Sequence, residues 1–161
     1  MPTVTYIHGD ATSPSIPGPK IIAHICNDIG GWGKGFVLAI TNRWPEPESR
    51  YRDWFANRAA NDFALGRVQF VEVGDNLWIA NMIAQHKIER GHDGAPPIRY
   101  DAVESCLRQV AQFALEQSAT IHMPRIGCGL AGGTWDKIEP LIVGTCGVAN
   151  VPVFVYDFGS P

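Results

Sequence analysis

The chemistry that is easiest to read in this chain belongs to its backbone. The run His122-Met123-Pro124-Arg125-Ile126-Gly127-Cys128-Gly129-Leu130-Ala131-Gly132-Gly133-Thr134-Trp135 puts four glycines into seven residues. Ser118 to Met123 ahead of it has the length and branching of a short buried strand, which Pro124 stops. Thr134-Trp135-Asp136-Lys137-Ile138-Glu139 then opens a helix, with Thr134 the candidate N-cap and Lys137 where a capping box wants Glu or Gln. Glycines let a backbone approach a ligand closely, successive N–H groups share one concavity, and the helix dipole favours negative charge there, so this order suits an oxyanion. The plainer alternative is a tight turn. Neither the dinucleotide fingerprint G-x-G-x-x-G nor the P-loop G-x-x-x-x-G-K-[ST] is matched.

A second loop of the same kind strengthens the anion reading. Ile21-Ile22-Ala23-His24-Ile25-Cys26 is a continuous apolar strand of the sort covered on both faces. It runs into Asn27-Asp28-Ile29-Gly30-Gly31-Trp32-Gly33-Lys34-Gly35 and then into a helical run from Phe36 to Asn42. In an open sheet with parallel neighbours such loops gather at the carboxyl ends of the strands and form one crevice. Two amide-lined loops facing each other suit a diphosphate.

Other elements must hold these loops in place. Val4 to His8 is a β-rich first strand ending at Gly9-Asp10-Ala11-Thr12, where Asp10 either caps a turn or accepts from an exocyclic amine. Residues 13–19 form a proline-rich loop. A helix from Pro45 to about Asn61 is expected, with Tyr51, Trp54, Phe55 and Ala59 on its packed face, as core rather than as a base-stacking platform. Val68–Val73 and Leu77–Ile83, joined by Gly74-Asp75-Asn76, read as a hairpin, which makes the sheet mixed. Residues 84–97 lack periodicity and read as a mobile surface loop whose His86 and His92 are solvated. Asp101 to Gln117 is amphipathic, with Val103, Leu107, Val110, Ala111 and Phe113 inward. The helix after Thr134 runs past Pro140 to about Cys146, and Val151 to Phe158 is the last strand.

Composition sets the bounds. A chain of 161 residues with 45% apolar and 18% charged content suits one soluble domain with a sizeable core. A net charge of −3 with scattered basic residues argues against an electrostatic nucleic-acid binder. The four cysteines, at positions 26, 106, 128 and 146, have no metal spacing and read as small buried apolar groups. Cys128 alone sits in a glycine loop where positive potential could favour a thiolate, but space filling is the preferred reading there too. With no charged and apolar leader and no run of eighteen apolar residues, a cytoplasmic protein without membrane association is expected.

Taken together, these residues resemble a macrodomain. The resemblance rests on Gly9-Asp10-Ala11 after the first strand, on Asn27 to Phe36, and on Ile126-Gly127-Cys128-Gly129-Leu130-Ala131, and it covers nearly the whole chain. Within the family, His24 to Val37 and Met123 to Leu130 look most like the terminal ADP-ribose protein glycohydrolase subclass. The resemblance implies a three-layer α/β/α sandwich around a mixed six-stranded sheet, one domain over residues 1–161, that binds ADP-ribose.

By position, it implies that Asp10 accepts from the adenine amine, the Ala11 amide contacts the ring and Phe158 packs near it. Gly127, Cys128, Gly129, Leu130 and Ala131 would wrap the diphosphate, with Arg125 and Ile126 also in the ligand-binding set, and Gly33, Lys34, Gly35 and Phe36 would border the distal ribose, with Asn27 close by. The subclass uses a lysine and an aspartate, whose positions here fall on Gln85 and Ala131. An amide is no nucleophile and a methyl is no base, so that covalent route is closed.

Hydrolysis by a positioned water remains, with Asn27, Asp28, Lys34 and Gln85 as the polar residues around it. Asp28 and Lys34 are also readable as merely solvated. The expected activity is release of mono-ADP-ribose from modified acidic side chains by a monomer needing no cofactor or metal. Its partners would be ADP-ribose and mono-ADP-ribosylated proteins, with nucleic acid entering only as a modified substrate. A non-catalytic reader, an ADP-ribose 1″-phosphate phosphatase and a hydrolase of modified nucleic-acid ends are the alternatives.

Overall fold

The computed structural model describes residues 3–158. Six strands, β1 (Val4–His8), β2 (Lys20–Asn27), β3 (Val68–Gly74), β4 (Leu77–Gln85), β5 (Thr120–Met123) and β6 (Val153–Asp157), form one sheet in the order β1-β6-β5-β2-β4-β3. Every neighbouring pair is parallel except β3 with β4, the hairpin, so the sheet is mixed only at one edge. Four α-helices, α1 (Phe36–Arg43), α2 (Glu46–Ala56), α3 (Tyr100–Gln117) and α4 (Trp135–Ile142), complete the three layers.

The apolar runs of β2 and β4 supply both faces at once, because alternate residues of a strand point to opposite sides. Ile21, Ala23, Ala80, Met82 and Ala84 pack with Val103, Leu107, Val110 and Ile138 of α3 and α4. Ile22, Cys26, Ile79 and Ile83 pack with Val37, Ile40, Tyr51 and Trp54 of α1 and α2. Phe113 is half-buried and stacks on Phe70, 4.0 Å between ring centres.

The expected boundaries shift where side chains intervene. The helix expected to reach Asn61 ends at Ala56, with the Asn57 amide donating to the Asp53 carbonyl, and a single 3₁₀ turn over Arg58–Ala60 leaves Ala59 exposed. Ser118 is not strand but the left-handed cap of α3, at φ 53°. Thr134 has the extended backbone of an N-cap, yet its side chain makes no capping bond. Beyond Ile142 the chain continues as a π-turn, Val143–Gly147. Strand β4 runs two residues past Ile83, which brings Gln85 up to the sheet's carboxyl edge. Among the described residues, no helix is long and apolar enough to cross a membrane, and no group of three or more His, Cys, Asp or Glu side chains could hold a metal ion.

Candidate functional site

Both glycine loops leave the carboxyl edge of the sheet, after β2 and β5, and between them lies a cleft of about 770 Å³. The first loop is shaped by Asn27. Its Oδ1 accepts from the backbone N–H groups of Ile29 (3.1 Å) and Gly31 (2.9 Å), and its Nδ2 donates to the Gly31 carbonyl (2.9 Å). The Tyr51 hydroxyl lies 2.6 Å from the Asn27 carbonyl oxygen. Burial pushes the pKa of that hydroxyl well up, so it stays a donor. The Asn27 side chain is thus largely engaged in holding the loop, although it also lines the cleft.

The second loop is closed by Gly133, whose N–H donates to the Gly127 carbonyl at 2.7 Å. A side chain at Gly133 would begin 2.6 Å from that same oxygen, and Gly127 has φ +75°, so both positions exclude larger residues. Ile98 buttresses the loop from below, its N–H donating to the Ala131 carbonyl at 3.0 Å. With these bonds made, the N–H groups of Gly127, Gly129, Leu130 and Ala131 have no protein acceptor among the described residues. The same holds for Gly33, Lys34, Gly35 and Phe36 across the cleft, where α1 starts from Gly35 without a side-chain cap. Two sets of orphan amides, one at a helix N-terminus, therefore lie on opposite walls.

The structure brings many of the anticipated residues to this cleft. Asn27, Gly33, Lys34, Gly35, Phe36 and Gln85 line one side, and Arg125, Ile126, Gly127, Gly129, Leu130 and Ala131 the other. Among the described residues, no carboxylate lines it. Gln85 donates to the Lys87 carbonyl at 2.9 Å, and its Oε1 has no partner among the described residues. Arg125 forks onto Asp157 (2.7 and 3.1 Å) and rests against the rings of Tyr6 and Trp135, so its charge is already matched. The hydrogen bond from Arg125 holds the Asp157 carboxyl below the usual range. Lys34 is exposed and has no acidic partner among the described residues.

Asp28 does not line the cleft. Its Oδ2 lies 2.7 Å from His86 Nδ1, and its Oδ1 accepts from the Lys87 N–H at 2.7 Å. Both oxygens are engaged in pinning the 86–97 segment to the first loop. His86 is accordingly a fastening rather than a freely solvated side chain, and Asp28 is a staple rather than a solvated base. Cys128 is not among the lining residues, and burial raises its thiol pKa despite the pull of Arg125, which fits the space-filling reading rather than the thiolate.

Asp10, Ala11 and Phe158 lie apart from this lining, at the adjoining ends of β1 and β6, where the Gly9 N–H donates to the Asp157 carbonyl at 2.9 Å. Asp10 Oδ1 accepts from the Thr12 N–H (2.8 Å) and hydroxyl (2.6 Å), and Arg43 approaches Oδ2 at 3.4 Å. Partial burial alone would raise its pKa, but these bonds and Arg43 together hold it below the usual carboxylate value. The turn-capping alternative at Asp10 describes these contacts. Ala11 is buried, and Phe158, at 84% exposed, is the most open large apolar side chain of the described residues.

Sequence reasoning left several lining residues out of the site, among them His24, Arg52 and Ile88. An imidazole inside the apolar run 21–26 was a usable signal, since a buried polar ring demands a partner. Arg52 could have been placed from the register of Tyr51 and Phe55. Ile88 lies in an aperiodic segment and had no signal.

No model of a known protein family matches the chain. A solved structure, described as a macrodomain protein from Streptomyces coelicolor, is 54% identical over 97% of this chain and 99% of that one, with a TM-score of 0.87. Chromodomain-helicase-DNA-binding protein 1-like from mouse is 28% identical over 97% of this chain, which spans only 18% of that protein's length. An ADP-ribose 1″-phosphate phosphatase from Lodderomyces elongisporus is 23% identical over 87% of this chain and 91% of its own length.

Proposed function

Because this chain belongs to the macrodomain family, we propose that it is one macrodomain whose cleft binds ADP-ribose and that it releases mono-ADP-ribose from modified acidic side chains of proteins. In this reading the diphosphate lies against the amides of residues 127–131 and the distal ribose beside Gly33 to Phe36. The observation that carries it is the two sets of amides without a protein acceptor that line one cleft, in which no carboxylate of the described residues takes part. Such walls accept an anion and repel nothing that carries phosphate.

The missing base is compatible with the proposed reaction. The leaving group is a side-chain carboxylate, whose conjugate acid has a pKa near about 4.3, so it departs without being protonated. Water attacks the distal anomeric carbon, the bond from that carbon to the carboxylate oxygen breaks, and the attacking water's proton passes to solvent or to a diphosphate oxygen. What the protein supplies is position: amides fix the diphosphate, and Gln85, with a free Oε1 on the cleft wall, is the side chain left to orient water.

A second reading, that of a non-catalytic reader, draws on the same lining. Among the ionisable side chains there, Arg52 and Arg125 are paired, His24 and Cys26 are buried, and Lys34 is a cation. One experiment separates these readings. The protein is incubated with a Glu-linked ADP-ribosylated peptide, with ADP-ribose 1″-phosphate and with an ADP-ribosylated DNA end, and ADP-ribose binding is measured calorimetrically in parallel. Release from the peptide above background supports the hydrolase. Binding with all three substrates intact selects the reader, and absence of binding defeats both.

A further inference from the structure

His24 sits on the α1–α2 side of β2, lines the cleft and is 1% exposed. Its Nε2 lies 2.6 Å from Oδ1 of Asn81, its partner in register on β4. The direction of that bond follows from the other end of Asn81. Nδ2 of Asn81 faces two acceptors, the Pro47 carbonyl at 3.2 Å and Gln69 Oε1 at 3.1 Å, so it must be the amide nitrogen and Oδ1 the acceptor. The proton between the two residues therefore belongs to His24 Nε2, and Nδ1 carries a lone pair. Among the described residues, Nδ1 of His24 is the buried side-chain nitrogen or oxygen left without any partner.

A buried acceptor with no donor is costly, and native interiors rarely keep one without a reason. The ring is wedged edge-on to Trp32 (5.4 Å) and tilted on Phe36 (5.9 Å), two residues of the first glycine loop and its helix. Burial lowers its pKa to about 4, so at neutral pH it remains an acceptor. Such a lone pair repels phosphate and carboxylate oxygens and is complemented by an O–H group.

We infer that His24 is a ligand-positioning residue: its Nδ1 is closed to solvent in the free protein, and on binding the Trp32 and Phe36 side chains packed on the ring yield, so that a hydroxyl of the distal ribose donates to it. This rests on the ADP-ribose reading above, and it adds a sugar-recognising contact to walls that otherwise recognise charge. The contact discriminates ADP-ribose from ADP, which shares the diphosphate but lacks the second sugar.

The test is imidazole ¹⁵N spectroscopy of the full chain, with ADP-ribose and ADP added in turn, beside calorimetry on the wild type and on His24→Phe. The Nδ1 resonance should move upfield with ADP-ribose, as a lone pair does when it gains a donor, and stay put with ADP, while Nε2 keeps its proton. His24→Phe should weaken ADP-ribose about five- to tenfold, roughly the worth of one neutral hydrogen bond, and change ADP affinity less than about twofold on the same scale. An Nδ1 signal unmoved at saturating ADP-ribose, or moved equally by ADP, overturns the inference while leaving the binding reading intact. Failure of the wild type to bind ADP-ribose overturns both. Should the variant not fold, the wild-type spectra decide alone.

Discussion

Replacing Gly133 by alanine probes the phosphate-loop argument most directly. The new Cβ would lie 2.6 Å from the Gly127 carbonyl oxygen and 2.9 Å from Ile98 Cδ1. Unbonded atoms of this kind settle at roughly 3.5 Å, so the carbonyl must retreat by roughly 1 Å. That carbonyl already accepts the Gly133 N–H at 2.7 Å, the bond that closes the loop. Losing it costs about 1 kcal/mol, and the crowding adds about 1–3 kcal/mol, giving a destabilisation of roughly 2–4 kcal/mol. The amides of residues 127–131 would no longer converge. Two charge-assisted bonds weakened by this shift correspond to at least about a tenfold loss of ADP-ribose affinity. Gly129→Ala is the internal control for stability, since a Cβ there meets nothing within 4 Å. Urea unfolding and calorimetry on both variants provide the readout. If Gly133→Ala unfolds within about 0.5 kcal/mol of the wild type and binds within about twofold, the loop does not work as described.

Three further outcomes are expected. Asp28→Asn should keep kcat within about threefold and cost less than about 1 kcal/mol of stability, because the amide oxygen can still take the Lys87 N–H and the contact with His86 is part-exposed; a hundredfold fall in kcat at unchanged affinity would restore Asp28 as the base. Lys34→Ala should weaken ADP-ribose severalfold at low salt and much less in about 0.5 M salt, where exposed charges are screened, and a salt-independent loss would point to lost packing instead. The folded pKa values of His24 and His122 are both lowered to about 4 by burial, so the unfolded chain binds more protons between pH 6.5 and 4. Their contribution is therefore complete above pH 6.5 and lost as pH falls towards 4, at most about 3 kcal/mol each, whereas the stability from the depressed Asp10 and Asp157 is present above the ordinary carboxylate pKa of 3.8 and is lost only as pH falls below it. Urea midpoints that stay flat from pH 7 to 4 would contradict this.

Elements with a single dominant signal were legible from the residues. The apolar run 21–26 became a strand buried on both faces, and the two glycine loops met at one cleft because parallel strands put their carboxyl ends together. Side-chain engagement was not legible. Asn27 and Asp28 read as free polar groups, yet Asn27 is engaged by Ile29 and Gly31 nearby and by Tyr51, and Asp28 by His86 and Lys87, the last three more than twenty residues away in the chain. Asp10 read two ways because its choice depends on Arg43, at the far end of a helix whose direction the pattern does not encode.

The aperiodic segment 86–98 shows why that information matters for the site. At its start Asp28 ties it to the first glycine loop, and at its end Ile98 bonds the second loop at Ala131 and fills the space beneath Gly127. In between, Ile88 lines the cleft, 46% exposed. A segment that reads as a loose surface connection is thus the brace between the two amide walls. The separation of those walls depends on it, and a loosened brace would cost affinity at both walls together rather than at one. Fit to a diphosphate is accordingly a property of three chain segments, of which the sequence pattern announces only two.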